Sequence, residues 1–229
     1  MKKIPIVVCN IGSPAIDVMI ASAKCYAPDN PLLIHYMKKS TFGESYNIAL
    51  NEAFEEYDEV IVANDDIVLG PHSLNDLVSD VEKLKPASIA ENFKLGFVAA
   101  MHDSSRPGQN IRFQFFKDDQ IEFGKWRSES MIKMTPVIAP IFAYLSKEAF
   151  QAAPFAPITW YSDDVICEDL NKLGFKHFIS TSYVHHVGST SVGNKYDVLR
   201  EEAMPWIREN RPEYLQELEN RLSFKQGSI

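Results

Sequence analysis

Three short apolar runs, separated by two amphipathic stretches, occupy the first third of the chain and constrain its fold more than any other feature. Residues 4–9, 32–36 and 60–63 are short, largely apolar runs, and the β-branched run 4–9 has the pattern of a strand buried on both faces. Between the first two, residues 14–26 are predicted to form a helix, with Ser13 as N-cap and Pro14 at the first helical position. Between the second and third, Tyr46, Ala49, Leu50, Ala53, Phe54 and Tyr57 recur at helical spacing, while Asn47, Asn51, Glu55 and Glu56 fall outside that apolar face. The order is βαβαβ, which implies a mainly parallel sheet with right-handed crossovers.

Beyond it, residues 73–84 read as a helix ended by Pro86. Residues 97–101 and 113–116 read as strands around the polar loop 102–110. The stretch 118–135 carries no clear pattern. Residues 137–145 are strand-like and lead into a short helix capped by Ser146. A helix over 163–173 is closed by Gly174, which suits the left-handed position after a helix end. Short strands at 175–180 and 183–186 follow, then a helical tail over 197–224 with a break near Pro212. No repeat, low-complexity tract or linker divides the chain. The expectation is one domain over 1–229, with a βαβαβ first half at 1–70, a mixed second half at 95–195 and a helical tail at 196–229.

With 229 residues and 45% apolar side chains, such a domain can bury a substantial core. The 31 acidic and 23 basic residues leave a net charge of −8, a poor balance for gripping a phosphate backbone, so nucleic acid is disfavoured as a partner. The N-terminal apolar run is short, contains Pro5 and lacks a small-residue cleavage site, so it does not read as a secretory signal. No apolar stretch reaches the roughly 20 residues that a membrane span needs. Cys9, Cys25 and Cys167 are widely spaced and odd in number, which suits buried free thiols in a reducing compartment, and the cytoplasm is the expected location.

The third strand runs directly into Asn64-Asp65-Asp66. In an open parallel sheet, ligands collect beyond the carboxyl ends of the strands. Adjacent carboxylates there suit a hard divalent cation such as Mg²⁺ or Mn²⁺ shared with substrate phosphates, although Asn-Asp-Asp is also ordinary turn chemistry. Two later clusters add to it. Trp160-Tyr161-Ser162-Asp163-Asp164 opens a helix, where the helix dipole alone favours acids, and Val184-His185-His186-Val187-Gly188-Ser189 follows at a strand end. Together they offer carboxylates, a candidate base and an imidazole ligand.

These residues resemble a known family. Phe42-Gly43-Glu44-Ser45-Tyr46-Asn47, its helix, and Val60-Ile61-Val62-Ala63-Asn64-Asp65-Asp66 look like the nucleotide-sugar half of family-two-like glycosyltransferases of GT-A fold. Asn47 matches the family's Asn ahead of the Asp-x-Asp-type strand, and Asn64-Asp65-Asp66 matches the motif itself. Tyr161-Ser162-Asp163-Asp164 through Gly174-Phe175 resembles the acidic segment, and His185-His186-Val187-Gly188-Ser189-Thr190-Ser191 resembles the His-x-x-Gly block. The resemblance spans roughly 4–191. It implies an inverting, single-transfer enzyme that uses a nucleotide-diphosphate sugar, Mn²⁺ or Mg²⁺, and a hydroxyl acceptor such as a glycan or glycoconjugate. Asp66 would ligate the metal, with Asp65, Asn64, Asn47 and Asn10 around the donor. His185 would be the further ligand, favoured over His186 by its spacing to Gly188. Asp163 would be the general base, favoured over Asp164 by one position counted back from Gly174.

Several features depart from the family's pattern. The second strand ends in His35-Tyr36-Met37-Lys38-Lys39-Ser40, without the acid that usually contacts the nucleoside. The Gln-x-x-Arg-Trp motif of processive synthases is absent, and the helix starting near Asp163 lacks the usual Arg, with Asp169 near its place. Arg106, Arg112 and Arg127 are candidate phosphate or acceptor contacts, and Phe113, Phe115, Phe116 and Trp126 are a candidate sugar platform or a strand core face. Tyr214, Leu215, Leu218 and Leu222 form a stripe that either caps the core or, if exposed, suits dimerisation. Two rival readings remain: a catalytically silent nucleotide-sugar or glycan-binding module, and a nucleotidyltransferase. The second is weakened because Asn10-Ile11-Gly12-Ser13-Pro14 offers one Gly and no basic residue.

Overall fold

A computed structural model describes residues 3–10, 12–37, 40–103, 108–117, 120–126, 131–187 and 196–215, with backbone alone for 112–117, 120–126 and 196. The first third alternates as the apolar runs require: β1 (Ile6–Asn10), α1 (Ile16–Tyr26), β2 (Leu32–Tyr36), α2 (Phe42–Glu56) and β3 (Glu59–Ala63). Both β2 and β3 pair with β1 in parallel. Then come β4 (Ile67–Leu69), α3 (Ser73–Ala90), β5 (Lys94–Met101), β6 (Arg112–Lys117), β7 (Gln120–Trp126), β8 (Lys133–Thr135) and β9 (Phe142–Ser146). The chain continues through α4 (Lys147–Ala152), α5 (Ser162–Lys172), β10 (Phe175–His186) and α6 (Tyr196–Asn210).

The main sheet runs β2-β1-β3-β9-β5-β10-β4, with β8 also on β10, while β6 and β7 form a separate hairpin. Because β9 is antiparallel to both β3 and β5, and β10 is parallel to β5, strands β1, β2, β3, β5 and β10 all point the same way. Their carboxyl ends therefore share one edge. Helices α1 and α3 cover one face through Met19, Leu74, Leu77 and Val81, and α2, α4 and α5 cover the other through Tyr46, Leu50, Phe150 and Ile166. The result is a three-layer α/β/α architecture with a mostly parallel centre.

The structure corrects several sequence expectations. Helix α1 begins at Ile16, two residues later than expected, because Ser13 Oγ accepts from Ala15 N within a turn instead of capping the helix. Helix α3 runs through Pro86 to Ala90. Pro86 lies on the exposed side, where the lost hydrogen bond opens to water, and Ser88 Oγ donates to the Lys85 carbonyl. Of the expected strand 137–145, only 142–145 joins the sheet, in a strand that ends at Ser146. Ahead of it, the Gln109 amide binds both Ala139 N (2.6 Å) and Ala139 O (3.1 Å) in place of a neighbouring strand. The two short strands after Gly174 are one strand, β10, interrupted by a register shift between Ile179 and Tyr183. Cys167 is buried, but Cys25 is exposed, against the expectation of buried thiols throughout.

Helix α2 has a Thr41/Glu44 capping box, the Ser/Thr-x-x-Glu signature of a helix start. Helix α6 packs Ala203 and Ile207 onto Ile158 and Val165, and the following turn buries Tyr214 against the same group, so that part of the stripe caps the core. Leu218 and Leu222 lie outside the described residues. No described helix is long and apolar enough to cross a membrane.

Candidate active site

Polar residues gather where the parallel strands end. Asn10 closes β1, Asn64-Asp65-Asp66 follows β3, His102-Asp103 follows β5, and His185-His186 closes β10. Strand β4 explains how the last of these meets the second. It leaves Asp66 antiparallel to the end of β10, in a register that sets Ile67 opposite His186 and Val68 opposite His185. Val187 N donates to the Asp66 carbonyl at 2.9 Å, which extends that pairing to the carboxylate residue itself.

Asp65 and Asp66 are 6% and 5% exposed. Asn10 Nδ2 donates to Asp65 Oδ2 (2.8 Å) and to the Ser13 carbonyl (3.1 Å), while Asn10 Oδ1 accepts from Gly12 N (2.8 Å). Asn10 thus joins the β1 turn to the acidic pair. Asn64 N donates to the Ile141 carbonyl, and Tyr46 Oη donates to the Ala63 carbonyl, fixing the tip of β3 from both sides. Burial, then the charge of Asp66, pushes the Asp65 carboxyl up to about 6 despite the Asn10 hydrogen bond. Burial and the Asp65 charge raise the Cys9 thiol to about 12, so it is a poor nucleophile.

His186 is the imidazole that meets the acids: its Nε2 lies 3.1 Å from Asp66 Oδ1. His185 points to the other face of β10. Its Nδ1 lies 2.6 Å from Asp103 Oδ2, and its side chain is 48% exposed. A strand alternates its faces, so the even-numbered His186 faces Asp66, while the odd-numbered His185, which the spacing to Gly188 favours, faces Asp103. Asp103 Oδ1 accepts from His186 N (2.9 Å), and the His102 ring lies edge-on to His186 at 6.0 Å. His102 and Asp103 were missed by sequence reasoning. The available signal was the same one that marked Asn64-Asp65-Asp66: a polar pair directly after a buried apolar strand.

Asp163 and Asp164 open α5, both partly buried. The segment leading to them is held by α2. Asn47 makes a two-point contact with the Phe155 backbone, donating to its carbonyl (2.8 Å) and accepting from its N–H (3.0 Å). One turn earlier, Gly43 N donates to the Ile158 carbonyl, and a Cβ on Gly43 would lie 1.7 Å from the Ala156 oxygen. Ser162 Oγ donates to that same Ala156 carbonyl. The structure thus places Asn47 as a brace for this segment. Tyr161, at the helix start, has φ +69°, a left-handed conformation that non-glycine residues rarely adopt. At the far end of α5, Asp169 pairs with Arg211 beyond α6 (2.6 Å), which supplies the charge partner its unusual position calls for. Lys38, Lys39, Arg106, Arg127 and 188–191 lie outside the described residues, as do the side chains of Arg112, Phe113, Phe115, Phe116 and Trp126.

Among the described residues, no group of three or more His, Cys, Asp and Glu side chains could hold a metal ion by itself. Asp66 and His186 instead form a two-residue donor set beside a second carboxyl raised by burial. That set fits a hard cation whose other ligands are diphosphate oxygens and water.

No protein-family model and no curated protein sequence matches the chain. Its fold does match solved structures. The mannosyltransferase PcManGT from Pyrobaculum calidifontis, in complex with GDP-Man and Mn²⁺, aligns over 86% of this chain and 60% of its own, with TM-score 0.55 and 11% identity. S. aureus TarS 1-349 aligns over 90% and 66%, with TM-score 0.51 and 11% identity. GalNAc-T7 with UDP, GalNAc and Mn²⁺ aligns over 80% and 37%, with TM-score 0.50 and 9% identity. The chain thus spans less than two thirds of each of these proteins. At such identities the likeness is one of architecture. The chain has the GT-A fold of glycosyltransferases.

Proposed function

We propose that this protein is an inverting, metal-dependent glycosyltransferase that moves one sugar from a nucleotide-diphosphate donor to a hydroxyl acceptor. The observation that carries this reading is the 3.1 Å approach of Asp66 and His186 at the carboxyl edge of the sheet, beside buried Asp65. The complexes of PcManGT with GDP-Man and Mn²⁺ and of GalNAc-T7 with UDP, GalNAc and Mn²⁺ support its nucleotide-sugar and metal parts, since both proteins share the fold.

In this reading residues 1–70 hold the donor and 95–195 carry the acceptor side. Asp66 and His186 hold Mn²⁺ or Mg²⁺, and His185, paired with Asp103, stands behind them. The cation, when bound, offsets negative charge on the departing nucleoside diphosphate. Asn10 keeps Asp65 oriented beside Asp66. Asp163, with Asp164 as the alternative, takes the proton from the acceptor hydroxyl as its oxygen attacks the anomeric carbon. Asn47 and Gly43 hold the 155–158 segment, so that α5 presents these acids at a fixed position.

A thermal-shift screen of nucleotide sugars with and without Mn²⁺ tests the proposal. The matching donor at one hundred times its dissociation constant should add about 2.7 kcal/mol, and only with Mn²⁺ present. Asp66→Ala should lose the Mn²⁺-dependent part. Equal donor binding by that variant with and without Mn²⁺ contradicts the reading.

A further inference from the structure

Strand β10 changes partners halfway along. Its first part lies between β5 and β8, with Phe178 opposite Val98 and Met134, and its last part pairs with β4. Between them, β10 advances four residues, from Ile179 to Tyr183, while β5 advances two, from Ala99 to Met101. The two extra residues make a bulge at 180–182. There, helix α3 supplies hydrogen bonds in place of a strand. Asp80 Oδ2 accepts from Ser180 Oγ, Thr181 N and Thr181 Oγ1, each at 2.8 Å. Ser73 Oγ donates to the Tyr183 carbonyl at 2.5 Å, Ser182 Oγ donates to the Ser73 carbonyl at 2.6 Å, and Ser182 N donates to Ser180 Oγ at 3.0 Å.

Asp80 is 1% exposed, and its second oxygen pairs with Lys83 at 2.9 Å. A buried carboxylate at a bulge, receiving both a backbone N–H and side-chain hydroxyls, sets the path of the strand. That path matters because α3 follows β4 within four residues, and β4 begins at the residue after Asp66. Gly70 N donates to Ser73 Oγ, which ties the turn between β4 and α3 to the same clamp. The α3–β4 unit therefore carries Asp66, and the clamped strand carries His186.

We propose that Asp80 is a positioning residue for the Asp66–His186 pair: its hold on the 180–182 bulge fixes β10 against the α3–β4 unit, so that the imidazole and the carboxylate converge. Partners that orient metal ligands from outside the site typically matter ten- to hundredfold for affinity. The cation arm of the test rests on the reading of Asp66 and His186 as ligands; the other arm does not.

The test compares wild type with Asp80→Asn, with the milder Ser180→Ala in case the first fails to fold, and with Leu84→Ala. The last variant truncates a buried residue on the same helix and has no part in the clamp. In metal-free protein, the ring ¹⁵N resonances of His186 at fixed pH are expected to move in Asp80→Asn toward their positions in Asp66→Asn, and to stay put in Leu84→Ala. With Mn²⁺ alone as the probe, the dissociation constant should rise ten- to hundredfold in Asp80→Asn, under conditions where circular dichroism shows it folded, and hold in Leu84→Ala. Combining Asp80→Asn with His186→Ala should weaken Mn²⁺ no further than His186→Ala alone. Wild-type ring resonances and wild-type Mn²⁺ affinity in a destabilised Asp80→Asn protein would make the residue merely structural and overturn the proposal. Absence of Mn²⁺ binding by wild type would remove the cation reading, and the ring resonances alone would then judge Asp80.

Discussion

Asp66 and His186 stand 120 positions apart in the chain, and their side-chain atoms Oδ1 and Nε2 lie 3.1 Å apart. Neither is near the other by any local rule. They meet because β4 reverses direction after Asp66 and lies antiparallel to the last residues of β10, so that the even-numbered face of β10 turns to the acids. The odd-numbered His185 is turned to Asp103 instead.

That division predicts different fates for two adjacent histidines. His186→Ala should weaken Mn²⁺ binding tenfold or more, which corresponds to at least about 1.4 kcal/mol. His185→Ala should leave it within a factor of about three, the spread expected for a group that is not a ligand. Titration calorimetry or the loss of free Mn²⁺ signal in electron paramagnetic resonance measures both. The reverse ranking would restore His185 as the ligand.

Asp163→Asn separates binding from chemistry. The substitution removes the proton acceptor and keeps the shape, so donor affinity in the presence of Mn²⁺ should be unchanged while transfer falls about a hundredfold or more. Asp164→Asn serves as the companion. If the larger loss of turnover falls on Asp164→Asn, the two acids exchange roles.

Gly43→Ala tests the brace under α5. The added methyl carbon would sit 1.7 Å from the Ala156 oxygen, a backbone atom that already accepts from Ser162 Oγ. Helix propensity alone would favour Ala by up to about 1 kcal/mol, but the collision with backbone dominates. The variant should lose roughly 3 kcal/mol or more in urea unfolding, or fail to fold. Wild-type stability would mean that the approach of α2 to the 156–158 segment is looser than described.

How much was legible in the sequence depended on range. The parallel βαβαβ start showed plainly because continuous β-branched runs and a clean helical face have few alternatives, and Leu32–Tyr36 forms a strand as read. Gly174 closes α5 at φ +84°, as its lack of a side chain suggested. Strand β4 was illegible: three residues directly after an acidic turn have no periodicity to detect, and their pairing with β10 is set by tertiary contacts. Which of His185 and His186 faces Asp66 was illegible for the same reason, since that facing is set by the pairing of β10 with β4. Asn47 was visible as a helix residue outside the apolar face, but its partner, the Phe155 backbone, lies 108 positions away. Pro86 misled because a proline on the exposed side of a well-packed helix costs a hydrogen bond without ending the helix.

His177 provides a pH test away from the candidate site. Its ring is fully buried: Nδ1 accepts from Phe97 N (3.0 Å), which leaves Nε2 as the N–H donor to the Cys167 carbonyl (3.1 Å). Gly96 makes the arrangement feasible, since a Cβ there would lie 2.6 Å from Nδ1. A proton on Nδ1 would face a backbone N–H, and burial holds the imidazole below its ordinary value of 6.5 despite the bond to Cys167. The unfolded chain therefore takes up the proton first as pH falls. The stability that neutral His177 contributes is fully present above about pH 6.5 and is lost as pH drops toward its lower folded value. His177→Gln keeps a donor and an acceptor but does not titrate. The difference in urea-unfolding free energy between wild type and this variant should be constant above pH 6.5, then move against wild type by up to about 1.4 kcal/mol per pH unit below it. A flat difference, or one that favours wild type in acid, would show that His177 is not held neutral in the fold.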